Sequence, residues 1–280
     1  MFKSENRIAF LFIIPSVSGV ALFFIIPFMM SLGYAITDSN GAFVWLANFK
    51  NLFASGAFRL AAGNTFKFMA AAIPLNIAIP LLIGCLLFKM PVGGPRPNLL
   101  KTIFLSPLVI PSACAAFFFQ SLFMSNGLLS GVLSENIDWL QDASFAIAVA
   151  VYVWKNMGYN LVLVLAGLAN IPKDYYEWAA MEGMGKTRAF LNITLVYLVP
   201  TLFIVFVMSF ISVFKVYREL YMLAGSYPHE KIYMLQHYIN NQFASLNYQN
   251  LTSASFVITL VIAVLALAFF TVNKKMEYGE

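Results

Sequence analysis

Four groups of residues carry chemistry worth testing. Ala180-Met-Glu-Gly-Met-Gly185-Lys186-Thr187 comes within one residue of G-x-x-x-x-G-K-[ST], the loop whose backbone N–H groups and lysine hold phosphates. Such a loop must follow a buried strand and open a helix so that the amides converge. Here the preceding residues, Asp174-Tyr-Tyr-Glu-Trp-Ala-Ala180, are helix formers, and Glu182 would put a carboxylate inside the nest. The match is accidental, and no β-rich stretch supplies a magnesium-binding acid. His229 and His237, the only histidines, lie eight residues apart without a nucleophile-and-acid arrangement. They read as solvated or interfacial side chains rather than metal ligands. No catalytic set and no metal set is expected. Two polar clusters remain. Tyr152-Val-Trp154-Lys155-Asn156-Met-Gly158-Tyr159-Asn160 concentrates an indole, an amine and two amides, and Ser209, Ser212 and Lys215 recur every third residue on one helical face.

The elements that must position these clusters lie in lipid. Of 280 residues, 61% are apolar and 10% charged, against about 45–50% and about 25% in soluble domains. A soluble enzyme, a disulfide scaffold and a disordered tail are excluded. Cys85 and Cys114 sit in apolar runs and read as small buried hydrophobes. Runs of about 20 apolar residues mark spans, and six are expected: Ile8–Ile36, Leu60–Phe88, Leu100–Met124, Ala143–Leu168, Val196–Val216 and Thr252–Val272. The runs are continuous rather than alternating, which excludes a β-barrel. Prolines within or near them (Pro15, Pro27, Pro74, Pro80, Pro107 and Pro111) are tolerated where neighbouring helices re-satisfy the freed carbonyls. The expected fold is an all-α membrane bundle, residues 1–280 forming one transmembrane domain. Polar groups inside such spans face a cavity or a partner helix. Lys155 is expected to pair with a carboxylate or carbonyl of a second subunit, and Lys67 to reach the interface.

Loop charges set the orientation. Lys3, Arg7, Lys89, Arg96, Lys101, Lys173, Lys186, Arg188, Lys274 and Lys275 cluster before the first span, in the second and fourth connections, and in the tail. The third connection carries only Glu135, Asp138 and Asp142. The excess of bases on cytoplasmic loops then puts both termini and the even-numbered connections in the cytoplasm. Lys50, Arg59, Lys215, Arg218 and Lys231 run against the trend. The net charge of +5 is accounted for by these loops and implies no nucleic-acid partner. Two long connections stand out. Residues 217–251 are polar and aromatic, as befits either an outer surface meeting a soluble partner or a sugar, or an ordinary outer loop with an interfacial aromatic belt. Residues 172–195 are helix-forming but too charged to span.

Ile171-Pro172-Lys-Asp-Tyr-Tyr-Glu177-Trp-Ala179-Ala-Met-Glu182-Gly183, followed by Ile193 and Leu195, resembles the cytoplasmic "EAA" signature of ABC importer permeases. Trp178 stands where the pattern has its first Ala, and Val196 replaces the expected Pro, with Pro200 four residues on. The register Ala166-Gly-Leu168 through Glu177, and Phe214-Lys-Val-Tyr217 through Gly225 and Pro228, is similar to the carbohydrate branch of maltose and glycerol-phosphate type. The resemblance spans essentially the whole chain. Physically, Pro172 suits a helix opening, Asp174 and Glu177 face the positive end of its dipole, and Gly183 permits a sharp turn.

The resemblance implies a type I ABC importer permease bundle in a bacterial cytoplasmic membrane. It implies Glu177, Ala179 and Gly183, with Trp178 and Glu182 beside them, as the contacts that couple to an ATPase. It also implies a second homologous permease, a cytoplasmic ATPase dimer that carries ATP and Mg, and an extracytoplasmic solute-binding protein. The chain itself would hold no cofactor. Sugar-contacting positions of the family map onto Trp154, Met157, Gly158 and Leu161, and onto Ser209, Ser212, Val213 and Val216, with Trp154 as a stacking platform. A permease for a non-sugar solute and a secondary transporter remain the alternatives; the latter should show internal repeats and paired broken helices, and none is evident.

Overall fold

The computed structural model describes residues 12–90, 95–133 and 138–277, and these are almost wholly helical. Among them the one extended contact is an isolated bridge between Thr37 and Phe43. Six helical stretches are long and apolar enough to cross a membrane: 12–36, 56–88, 112–132, 144–169, 186–224 and 248–269. This agrees with the expected number of spans, with two changes of boundary. The third is not continuous, because Ile110 and Pro111 break it into α4 (Pro95–Val109) and α5 (Ser112–Phe123), after which the short α6 (Leu128–Leu133) and α7 (Trp139–Asp142) follow. Residues 217–251, read as a loop, contain α12 (Tyr217–Ala224) and α13 (Leu235–Ala244). Ile8–Leu11, Lys3, Arg7, the turn at 91–94 and Glu135 lie outside the described residues.

The described residues divide into two compact units. The first joins residues 12–59 to residues 238–277. Here α1 (Phe12–Ile36) packs on α14 (Tyr248–Glu277) through Phe28 and Phe256, whose rings are 5.2 Å apart, and through stacked Tyr34 and Tyr248. Pro27 lacks an N–H, and the turn just before it widens so that Ile26 N–H reaches Ala21 O. Asn48 of α2 (Ala47–Ala54) caps the end of α1, donating to Ala35 O at 3.0 Å and to Thr37 O at 2.8 Å.

The second unit, Leu60–His237, holds both polar clusters. Its centre is α8 (Ser144–Ala169), the most buried of the spans. Glycines let neighbouring helices close on it. A Cβ on Gly158 would come within 2.9 Å of Phe104 O in α4, and one on Gly167 within 2.6 Å of Thr201 Oγ1 and 2.7 Å of Leu198 Cδ2 in α11 (Leu195–Val213). Gly84, near the end of α3 (Gly56–Phe88), admits Val164 in the same way. Such small-residue crossings are how helices associate where lipid offers no hydrophobic drive.

Side chains anchor the connection after α12. Asn64 Nδ2 donates to Tyr233 O at 3.0 Å, and Leu235 N–H donates to Thr65 Oγ1 at 3.0 Å. His237 differs from expectation: it is fully buried, its ring 4.8 Å from that of Tyr217, with Nδ1 accepting from Met234 N–H. Burial pushes its imidazole down to about 4. The cysteines also depart from expectation, Cys85 being half-buried and Cys114 exposed on the apolar surface of its helix.

Two outcomes follow for stability in detergent. Gly167→Leu should destabilise by about 1–3 kcal/mol, because the crossing has no room, while Gly63→Ala, whose Cβ meets nothing within 4 Å, should not; thermal denaturation of the pair measures this. His237 is neutral when folded and titrates near 6.5 when unfolded, so the unfolded state binds more protons in between. Stability from this residue is fully present above pH 6.5 and is lost as pH falls towards 4, by at most about 1.4 kcal/mol per unit. A His237→Gln variant should show a flatter melting profile across that window.

Candidate functional site

The charged connection folds as two short helices. α9 (Lys173–Met181) opens after Pro172, with Asp174 in its first turn. It ends in a glycine-terminated cap: Gly183 N–H donates to Ala180 O at 3.1 Å and Met184 N–H to Ala179 O at 2.8 Å. Gly183 takes φ +73°, a left-handed conformation that side chains rarely adopt. α10 (Lys186–Ala189) then leads through the widened turn Phe190–Thr194 into α11. No phosphate nest forms here, because a helix precedes the turn.

One side of α9 is anchored. Ala179 is 6% exposed, and Tyr176 hydroxyl lies 2.8 Å from Thr194 Oγ1 while its ring packs on the cluster Val164, Leu168, Ile171, Leu198 and Val205. The other side is open: Trp178 is 57% and Met181 77% exposed, with Glu177, Glu182 and Gly183 also exposed. Tyr175 braces Trp178 edge-on at 5.7 Å and leans on Tyr197 at 5.1 Å. All five coupling residues expected from sequence therefore lie in one turn and its approach, four exposed and Ala179 turned inward.

The membrane clusters meet in a buried network. Asn76 Nδ2 donates to Ser209 Oγ at 3.0 Å, and Asn160 Nδ2 donates to the same oxygen at 3.0 Å and to Asn76 O at 2.8 Å. Tyr152 hydroxyl donates to Ser209 O at 2.6 Å and lies 2.8 Å from Ser212 Oγ. Asn76 Oδ1 has no partner among the described residues. Lys155 donates to Pro107 O at 3.2 Å and to Ile110 O. Among the described residues its partners are carbonyls of its own chain.

Beside this network is a cavity of about 370 Å³ lined by Tyr152, Asn156, Ser212, Val216 and the charged Lys155, Lys215, Arg218 and Glu219. The expected sugar-contacting residues divide around it. Ser212 and Val216 line the cavity. Ser209, Val213 and Leu161 are buried, and Gly158 is taken up by the crossing with α4. Met157 is partly buried. Trp154 stacks at 6.2 Å on Phe118 and meets Phe119 edge-on at 5.3 Å. Asn76 and Glu219 escaped the reading of the sequence. Asn76 is one amide in a long apolar run, and the only signal was its place four residues before Pro80.

Comparison with known proteins identifies the family of the chain. The family described as binding-protein-dependent transport system inner membrane component matches residues 77–277. The lactose transport system permease protein LacF of Rhizobium radiobacter is 26% identical over 286 residues, covering 95% of this chain and 94% of that protein. The trehalose/maltose transport system permease protein MalF of Thermococcus litoralis is 28% identical over 287 residues, covering 97% and 94%. A solved bacterial ABC transporter involved in the import of the acidic polysaccharide alginate has a chain of the same fold, with a TM-score of 0.83 at 20% identity over 97% of this chain and 96% of that one. This chain belongs to the family of binding-protein-dependent transport system inner membrane components.

Proposed function

We propose that the chain is the membrane-spanning permease subunit of an ATP-driven importer of a carbohydrate, coupled to a separate ATPase through residues Glu177–Gly183. The observation that carries the coupling is the two-sided build of α9. Its exposed side offers Glu177, Trp178 and Met181 to a partner, while Tyr176 ties its other side to the cluster shared by α8 and α11. A displacement of α9 is thereby passed to the two helices that carry Tyr152, Asn160 and Ser209. The family description supports delivery of solute by a binding protein, and relatives named for lactose and for trehalose/maltose transport support a sugar as cargo.

In this reading both termini and the 172–195 connection face the cytoplasm, the ATPase pair and its ATP and Mg sit there, and a homologous permease completes the membrane domain. Residues 217–251 face outward, where the solute-binding protein docks. Closure of the ATPases pulls α9, and the bundle swings to accept solute from outside. Ser212 and Val216 lie on the solute path, and Trp154 offers a ring face beside it.

The turn gives a graded test. A Cβ at Gly183 meets nothing within 4 Å, so Asn and Ala act through φ alone, and Pro additionally removes the N–H that donates to Ala180 O. Uptake by the reconstituted importer should fall in the order Gly, Asn, Ala, Pro, because Asn tolerates the left-handed region and Ala costs about 1 kcal/mol there. Binding-protein-stimulated ATP hydrolysis should fall in parallel, and Glu177→Ala should abolish both, with insertion unchanged. Undiminished uptake by Gly183→Pro overturns the coupling. For the cargo, uptake is measured across saccharides, amino acids, polyamines and phosphate. Saccharides should be taken up, and transport of an amino acid alone refutes the assignment.

A further inference from the structure

The cavity beside the buried network has a charge pattern that a neutral sugar does not require. Lys155, Lys215 and Arg218 line its 370 Å³ against a single carboxylate, Glu219. A cation within a membrane-spanning helix is costly and marks a pathway or a partner, which applies to Lys155 of α8. Each of the three cations can be followed individually. The Lys155 ammonium has three N–H donors; two are spent on Pro107 O and Ile110 O, leaving one. Lys215 follows the C-terminal end of α11, where a helix dipole favours a cation. Arg218 is placed against that logic, in the first turn of α12, where the dipole favours negative charge. Helix electrostatics therefore do not explain Arg218, and an anion beside it would.

Glu219 shows how an acid sits at this place. It is buried, and its Oε1 accepts from Ser112 Oγ at 2.6 Å at the start of α5. Of the neutral donors nearby, Tyr152 hydroxyl donates to Ser209 O, and Asn156 Nδ2 gives one of its two N–H groups to Tyr152 O at 2.8 Å. The donors left facing the cavity are mainly the cationic ones.

We infer that this cavity takes the negatively charged group of an anionic saccharide, a carboxylate or a phosphate, against Lys155, Lys215 and Arg218. The inference rests on the proposed carbohydrate cargo and narrows it to acidic members of that class. Lys215 and Arg218 supply the long-range attraction, and the free Lys155 N–H supplies a short contact at the inner edge. Lys215 and Arg218 are exposed at the cavity rim and Lys155 is partly buried, and Glu219 alone leaves the three cations with an excess of two positive charges that an anion would match.

The test uses the assembled importer without its solute-binding protein, so that selectivity is read at the membrane domain. Thermal denaturation is followed with galacturonate and glucose 6-phosphate against galactose and glucose, at equal concentration and ionic strength. At least one anionic sugar should raise the midpoint while its neutral counterpart does not, and which of the two does so separates carboxylate from phosphate. In the Lys215→Met/Arg218→Gln double variant the apparent affinity for that anion should fall about tenfold or more. The charge-preserving Lys215→Arg/Arg218→Lys variant should retain binding, as should Lys50→Gln, a surface charge removed elsewhere. Equal stabilisation by galactose, or an unchanged double variant, overturns the proposal. Stabilisation by a short-chain phosphatidylglycerol and by no anionic sugar overturns it too, assigning the cavity to a lipid headgroup. Uptake of neutral sugars without anion binding defeats this inference alone. Failure of the complete importer to take up any saccharide defeats the carbohydrate reading itself.

Discussion

A carbonyl freed by proline inside a membrane must find another donor, and α8 supplies donors to the helices around it. Pro80 has no N–H for Asn76 O, and Asn160 Nδ2 takes its place at 2.8 Å. Pro111 has none for Pro107 O, and Lys155 takes its place at 3.2 Å. Each unsatisfied carbonyl would cost several kcal/mol in lipid. Two of the most polar residues of α8 are therefore first of all repairs to its neighbours' backbones. That role fixes which face of α8 turns to α3 and which to the break between α4 and α5.

The glycine crossings follow from the same demand. An asparagine side chain reaches only a few ångströms, so Asn160 meets Asn76 O only if α3 and α8 lie close. Gly84 supplies that closeness against Val164, and Gly158 and Gly167 do so against α4 and α11. With Ser209 accepting from both amides, α3, α8 and α11 become one cross-linked trio. The apolar cluster of Val164, Leu168, Leu198 and Val205 continues it, and Tyr176 of α9 packs on that cluster. A polar repair in the membrane and an exposed turn outside it thus belong to one stiff body.

Much of this was legible in sequence, and what was not has a physical reason. Continuous apolar runs announced six spans, because the length of a span is set by the bilayer. The turn at Gly183 was legible because a left-handed cap leaves a glycine at a fixed place after a helix-forming stretch. The break at Ile110–Pro111 was hidden by hydropathy, which averages across a kink. The pairing of Asn160 with Asn76 joins residues 84 apart, and a single sequence says nothing about which amide reaches which carbonyl. His237 was read as solvated from its polar surroundings in the chain, yet Tyr217 and Met234 enclose it. For Trp154 and Gly158 the sequence marked unusual residue types, but an aromatic can stack on Phe118 and Phe119, and a glycine can serve a helix crossing, as readily as either can meet a solute.

The two repairs differ in kind, and the difference bears on how such a bundle can move. Asn160 is short and holds its carbonyl within a network of neutral groups whose bonds run from 2.6 to 3.0 Å. Shifting α3 against α8 would expose several polar atoms to lipid at once, so that pair resists sliding. Lys155 has a four-carbon stem and reaches two carbonyls at the α4–α5 break. Its ammonium can follow those carbonyls through small displacements without losing both bonds. The break is the tolerant joint and the trio the rigid lever, and the cavity with its cations lies beside the break, lined by Ile110, Pro111 and Ser112 together with Lys155 and Lys215. A site built there can change shape while the backbone around it stays satisfied, which a solute path through lipid requires and a uniformly stiff bundle would not allow.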